Sequence, residues 1–143
     1  SPQEGYADFH ANDEGLATLG MRKMSRLTEG MMRSIDYSEK ANKRIHNFHM
    51  LDKVLRDSNR FKWSTDYGTV PLVYPYYVEN GDKLRQLLID HQVFCARYWP
   101  NVLEWCKPTD VEYKFTEDIV CIPIDQRYGK EEMDCIVDII LNY

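Results

Sequence analysis

The stretch Thr69-Val70-Pro71-Leu72-Val73-Tyr74-Pro75-Tyr76-Tyr77-Val78 alternates with period two. Such a period is that of a half-buried strand, with Val70, Leu72, Tyr74, Tyr76 and Val78 on one face. Pro71 and Pro75 bring no backbone donor, so the strand is expected at a sheet edge or interrupted. Working forward, Asn80-Gly81-Asp82 turns the chain into a helix carrying Leu84, Leu87, Leu88 and His91. Val93 to Arg97 reads as a short strand that Trp99-Pro100-Asn101 must leave. After a loop through Lys107-Pro108-Thr109-Asp110, Ile119 to Ile124 reads as a buried strand. Tyr128-Gly129-Lys130 then leads into a last helix, with Met133, Ile136, Val137, Ile140 and Leu141 at helical spacing.

Working backward, Asp36-Tyr37-Ser38-Glu39 resembles a capping box, so a helix should begin there and end near Asp57-Ser58-Asn59. Its core stripe is Ile45, Phe48, Leu51 or Met50, and Val54 with Leu55. Before it, Leu16, Leu19, Met24, Leu27, Met31 and Ile35 recur every three to five residues from Asn12 onward, which predicts another apolar helical stripe. Gly15, Gly20 and Gly30 weaken that helix, so packing rather than propensity must hold it. Residues 1–11 carry no strong period and read as an irregular lead-in. The junction at Ile35-Asp36 is expected to be a kink or a tight turn between consecutive helices. Few strands among several amphipathic helices predict an α/β protein of the α+β two-layer kind. Its features are a long N-terminal helix or kinked helix pair and a small, mainly antiparallel sheet with helices on one face. Residues 36–143 form the domain proper, preceded by a 1–35 lead-in and helix.

The 143 residues suit one domain, and 43% hydrophobic with 13% aromatic content rules out general disorder. A net charge of -5 argues against nucleic-acid or anionic-membrane binding. The best local basic patch, Lys40, Lys43 and Arg44, lies beside Glu39 and reads as a solvated helix face. No apolar run exceeds about five residues, far short of the ~20 of a membrane span. No signal-peptide pattern opens the sequence, and a cytoplasmic location is expected.

The four cysteines, at 95, 106, 121 and 135, form no C-x-x-C pair. The apolar settings of Cys95, Cys121 and Cys135 predict buried free thiols. Cys95, near Arg97, and Cys106, beside Lys107, are the weak thiolate candidates. His46 and His49 lie three apart without a nearby carboxylate, so no metal site is expected.

Several strings occur together in order: Lys43-Arg44-Ile45-His46-Asn47-Phe48-His49-Met50-Leu51 (R-x-x-N-F-x-x-L), Val70-Pro71-Leu72-Val73-Tyr74-Pro75, Lys83-Leu84-Arg85-Gln86-Leu87-Leu88, Arg97-Tyr98-Trp99-Pro100, and Ile122-Pro123-Ile124-Asp125-Gln126-Arg127-Tyr128. From about Tyr6 to Tyr143 the chain resembles the C-terminal part of the DegT/DnrJ/EryC1/StrS family, pyridoxal-phosphate aminotransferases of fold type I, many acting on nucleotide-linked keto-sugars. The resemblance implies the small C-terminal domain of such an enzyme, with the catalytic large domain, its Schiff-base lysine and most phosphate contacts outside this chain. It implies pyridoxal phosphate in the full-length enzyme but none bound by this chain, and no catalytic residue here.

Substrate-cleft residues are then expected at Arg97, Tyr98, Trp99, Asn101 and Arg127. Arg97 stands where relatives often carry a His in an H-Y-x-P loop. A guanidinium there suits a carboxylate or phosphate, and Tyr98 with Trp99 offers flat apolar surface to a sugar or base. Packing at a hinge is the alternative for these aromatics, and an internal ion pair for Arg97. For Asp125 and Arg127 a turn-forming role is favoured. The implied partners are the N-terminal large domain or a second subunit in a homo-oligomer, and a small-molecule sugar. An exposed apolar patch and self-association through the Leu16–Ile35 helix are expected. The alternative function is a stand-alone, non-enzymatic binding module that keeps the small-domain fold.

Overall fold

A computed structural model describes residues 2–16, 18–62 and 68–143. The elements, in order, are α1 (Pro2–Leu16), α2 (Arg26–Arg33), α3 (Tyr37–Leu55), β1 (Val73–Tyr77), α4 (Gly81–Asp90), α5 (Val102–Trp105), α6 (Val111–Asp118), β2 (Ile119–Pro123) and α7 (Lys130–Leu141). The expected α+β class holds. Two compact units meet in sequence at Ile35 and Asp36.

In the first unit, every side chain described is exposed. The helix expected from Asn12 to Ile35 is two separate helices, and the lead-in expected to be irregular belongs to α1. Local bonds cause the break. After Gly15 the chain turns, with Thr18 Oγ1 donating to the Gly15 carbonyl at 2.8 Å and Leu19 N to the Leu16 carbonyl at 3.1 Å. Ser25 then caps α2 by accepting from Thr28 N at 3.0 Å. The stripe residues Leu16, Leu19, Met24, Leu27, Met31 and Ile35 are all exposed.

The second unit holds the core. Asp36 caps α3 as expected, its carboxylate accepting from Glu39 N at 2.9 Å. Helix α3 buries Asn47, Phe48, Leu51 and Leu55, while Val54 faces outward. Strands β1 and β2 pair antiparallel, with Tyr74 opposite Ile122 and Tyr76 opposite Val120. Those four side chains point into the core with Leu84 and Leu88 of α4 and Met133, Ile136 and Ile140 of α7. Helix α3 packs on β1 and α7, and α4 packs on β2, α6 and α7.

The strand at Val70–Val78 is shorter than its alternation suggests. Val70 and Leu72 precede β1 and are exposed, because the ladder opposite ends at Pro123. The strand expected over Val93–Arg97 is reduced to one bridge, Ala96 to Cys121, on the edge of β2 away from β1. Its other polar groups are engaged elsewhere: Val93 N donates to the Leu88 carbonyl at 2.8 Å, and Arg85 Nε to the Cys95 carbonyl at 3.0 Å. The stretch expected to be loop around Lys107–Asp110 is flanked by two helices, α5 and α6. Phe115 of α6 packs against Phe61 and Tyr77, at ring separations of 5.0 and 5.5 Å. Where α6 ends, the Asp118 backbone lies so close to Gly81 that a Cβ there would collide with the Asp118 carbonyl. Glycine is thus required at the start of α4.

Two asparagines are fully buried. Asn47 Nδ2 donates to the carbonyls of Asp125 at 3.1 Å, Tyr128 at 3.2 Å and Ile124 at 3.4 Å. Asn59 Nδ2 donates to the Pro75 carbonyl at 2.9 Å, and its Oδ1 accepts from Phe61 N at 3.0 Å and Tyr77 N at 3.1 Å. Asn59 thereby supplies the outer edge of β1 with partners that no third strand provides.

Of the cysteines, Cys95 and Cys121 are buried as expected, Cys106 is half-buried, and Cys135 is exposed. Cys135 escapes burial because it lies off the Met133–Ile136–Ile140 stripe of α7. Burial pushes the Cys95 thiol up to about 12, against the opposing pull of the Arg85 guanidinium. Burial likewise raises the Cys121 thiol.

Two predictions follow from this packing. Replacing Asn47 by Leu strands carbonyls of the 124–128 turn and should cost about 3 kcal/mol, measured by urea unfolding. In the native protein at neutral pH, iodoacetamide should modify Cys135 first and leave Cys95 and Cys121 intact until unfolding, as read by peptide mass spectrometry.

Candidate functional site

The residues expected to line a cleft sit on two loops, 97–101 and 124–128, that lie at the ends of β2 or across its edge. The Ala96–Cys121 bridge ties the first loop to β2, and the Asn47 amide ties the second to α3. Arg44 extends this second clamp one turn earlier on α3. Its Nε donates to Gln126 Oε1 at 3.0 Å, its NH1 to the Leu72 carbonyl at 2.9 Å, and its NH2 lies 3.5 Å from Asp125 Oδ2. The basic patch read at Lys40, Lys43 and Arg44 is therefore not a free cationic face. Arg44 joins three segments, and Lys40 pairs with Glu39 at 2.7 Å.

Arg127 is exposed. Its Nε and backbone N both donate to Asp125 Oδ1, at 2.8 and 2.9 Å, an Asx-type turn that sets the guanidinium outward. Burial acts to raise the Asp125 carboxyl, but the Arg127 bonds and the charges of Arg127 and Arg44 outweigh it and hold the group below its ordinary range. The Tyr98 hydroxyl is raised by burial, with the Arg44 guanidinium pulling the other way. Arg44, Asp125 and Arg127 thus form one ion-paired group.

Arg97 turns elsewhere. Its NH2 pairs with Asp82 in the first turn of α4, its side chain is mostly buried, and its Nε is buried without a partner among the described residues. An arginine has five donors in a fixed fork, and one carboxylate does not saturate them. Trp99 follows at φ 52, a left-handed conformation in which a bulky side chain is rare and costs about 1–3 kcal/mol. Its indole is 73% exposed and lies 5.9 Å from the Tyr98 ring. The Asn101 carbonyl accepts from Glu104 N and Trp105 N at 3.1 Å each, so Asn101 opens α5 with its backbone.

The five residues therefore divide. Arg127 belongs to the Arg44–Asp125 group, Trp99 stands beside Tyr98, and Arg97 and Asn101 are engaged with α4 and α5. Sequence reading missed Arg44 as an organiser, although its position three residues before the buried Asn47 was the available signal. One loop presents an outward guanidinium, Arg127, and the other a flat aromatic pair, Tyr98 and Trp99, residue types that suit an anionic group and a ring respectively.

The residues do not fit pyridoxal phosphate. An imine-forming lysine needs a desolvated amine with a lowered proton affinity. None of the nine lysines is buried. Lys114 and Lys130 are raised instead, by hydrogen bonds to Glu117 and Asp134. Among the described residues, no three His, Cys, Asp or Glu side chains gather to hold a metal ion, and no helix is long and apolar enough to cross a membrane.

No protein-family model matches the sequence, and no curated protein matches it at a significant level. Among solved structures, the fold is similar to that of a DegT DnrJ EryC1 StrS aminotransferase from Brucella abortus, with a TM-score of 0.57 and 16% sequence identity. The match covers 73% of this chain and 31% of that one, so the chain spans about a third of its structural neighbour. At that identity the likeness is one of fold, and in fold this chain is similar to part of a DegT DnrJ EryC1 StrS aminotransferase.

Proposed function

We propose that residues 36–143 act as the small C-terminal domain of a pyridoxal-phosphate aminotransferase working on a nucleotide-linked sugar. In this reading the domain supplies one wall of the substrate cleft and oligomer contacts, and it does not transaminate alone. The fold likeness to the Brucella abortus aminotransferase carries the proposal. Tyr98, Trp99 and Arg127 meet the ligand, the aromatics against a sugar or base and the guanidinium against phosphate. Arg97 and Asn101 set the loop, and the buried Arg97 Nε is the donor a ligand oxygen would complete. The cofactor and its lysine belong to a large domain or a second subunit. The absence of a buried lysine among the nine favours one other reading, a non-enzymatic binding module of the same fold. A large domain encoded in the same gene product supports the first and excludes the second.

Three measurements test the proposal. Incubating this chain with pyridoxal phosphate and reducing with borohydride should give no stoichiometric adduct on a single lysine; one defined adduct overturns the inactive-alone reading. Titration with a nucleoside diphosphate sugar should quench Trp99 fluorescence, and Arg127→Ala should weaken binding about tenfold or more. Trp99→Gly should relieve the left-handed strain, raising stability by about 1 kcal/mol while removing ligand binding. Stability gained without loss of binding would return Trp99 to a packing role.

A further inference from the structure

The start of α4 holds a pair of residues with a chemistry of its own. Of the asparagines in the chain, only Asn80 is followed by glycine. Glycine puts no side chain beside its backbone nitrogen, so in a free chain Gly81 N can approach the Asn80 carboxamide carbon and close a five-membered ring. The Asn80 side chain is exposed and makes no hydrogen bond among the described residues. Any restraint on the reaction must therefore lie in the backbone.

Ring closure needs Cβ and the following nitrogen on the same side of the Cα–C bond. For an L-residue that means a ψ of about −120°, as at the first central position of a type II′ turn. Asn80 sits instead at φ 58 and ψ 38, where its Cβ and Gly81 N lie nearly trans and the ring cannot close. Hydrogen bonds on both sides of the Asn80–Gly81 peptide hold that angle. Gly81 N donates to Asp118 Oδ1 at 3.1 Å, and the Asn80 carbonyl accepts from Lys83 N at 3.0 Å and Leu84 N at 3.3 Å. Gly81 is itself buried against the Asp118 backbone, with no room even for a Cβ.

We propose that Asn80-Gly81 is a deamidation site that the fold keeps closed, with Asp118 as its lock. When the start of α4 opens, Gly81 N gives its proton to solvent and attacks the Asn80 Cγ. The new N–Cγ bond forms, the bond from Cγ to the side-chain nitrogen breaks, and that nitrogen takes a proton from solvent and leaves as ammonia. Water then adds to one of the two imide carbonyls, giving aspartate or isoaspartate at position 80. The isoaspartyl product routes the main chain through Cβ, which lengthens it by one carbon where Gly81 has no space to give. Asp82 then cannot return to Arg97, so the change reaches the 97–101 loop. The inference stands apart from the aminotransferase reading, since the reaction needs only this chain and water.

Peptide mass spectrometry on the full chain, held in mildly alkaline buffer, tests it, with isoaspartate identified by isoaspartyl methyltransferase labelling. Native wild type should keep Asn80, whereas the same chain in urea should convert it faster by about tenfold or more. Asp118→Ala, shown by circular dichroism to be folded, should convert about tenfold faster than native wild type, and Asp118→Asn, which keeps an acceptor oxygen, should stay close to it. The comparison of native with unfolded wild type decides the matter if Asp118→Ala does not fold. After ageing in urea and dilution, isoaspartyl chains should stay in the unfolded fraction, while Asn80→Gly aged in the same way should refold. Equal rates in native and unfolded wild type, an Asn80 that stays intact in urea, a folded Asp118→Ala no faster than wild type, or isoaspartyl chains that refold would each overturn the proposal.

Discussion

A carboxamide amino group removed from water must find acceptors among the groups around it, and in this protein that requirement shapes the turn beside α3. Asn47 has no solvent exposure, and its amino group is shared among three carbonyls of the turn joining β2 to α7. Those carbonyls leave a strand that has run out of ladder and precede a helix that has not begun; the turn itself supplies a donor to the Asp125 carbonyl, from Tyr128 N at 3.0 Å, and the asparagine adds donors there and on either side. The asparagine replaces the missing secondary structure and pins α3 to the turn. Arg44, one turn earlier, can then reach Asp125, Gln126 and the Leu72 carbonyl together. Asn59 plays the corresponding part at the other end of α3, holding the free edge of β1. A two-stranded sheet is marginal by itself, and these buried amides bind it into a larger unit.

The consequence for the site is a division of labour among arginines. Arg44 is largely structural, Arg97 is tied to α4 through Asp82, and only Arg127 sets its guanidinium outward. Asp125 links two of the three and is kept charged by them, so the local field stays cationic without an unpaired buried charge. Trp99 departs from this economy. Its left-handed backbone stores strain, and its ring contributes little to the core.

The two units use their apolar residues differently. Residues 36–143 bury theirs around Tyr74, Leu51 and Ile122. Residues of the first unit expose Leu27, Met31 and Ile35 on short helices whose local caps, not a core, define their ends. Apolar side chains left open in this way gain their stabilisation only when another surface covers them.

Much of the fold was legible in local chemistry. Asp36 as a cap, the α3 stripe of Phe48 and Leu51, the pairing faces of Tyr74 and Tyr76, and the α7 face of Met133, Ile136 and Ile140 follow from period and capping. Such signals depend on neighbours a few residues away, so the sequence determined them by itself. The family resemblance, together with residue type, marked Arg97, Tyr98, Trp99, Asn101 and Arg127 as candidates. What tertiary structure alone decided are features set by distant partners. Val93–Arg97 looked like a strand until Arg85 and Leu88 took up its polar groups, and helices α5 and α6 formed on either side of the Lys107–Asp110 loop, with Phe115 packed on Phe61 and Tyr77. Cys135 sits on an apolar-looking helix but off its buried stripe. Arg44 and Arg97 read alike in sequence, yet one became a clamp and the other a partner of α4. The physical reason is common to all four cases: an ion pair, a hydrogen bond or a buried face is fixed by which residues meet across the fold, and no local window contains both partners.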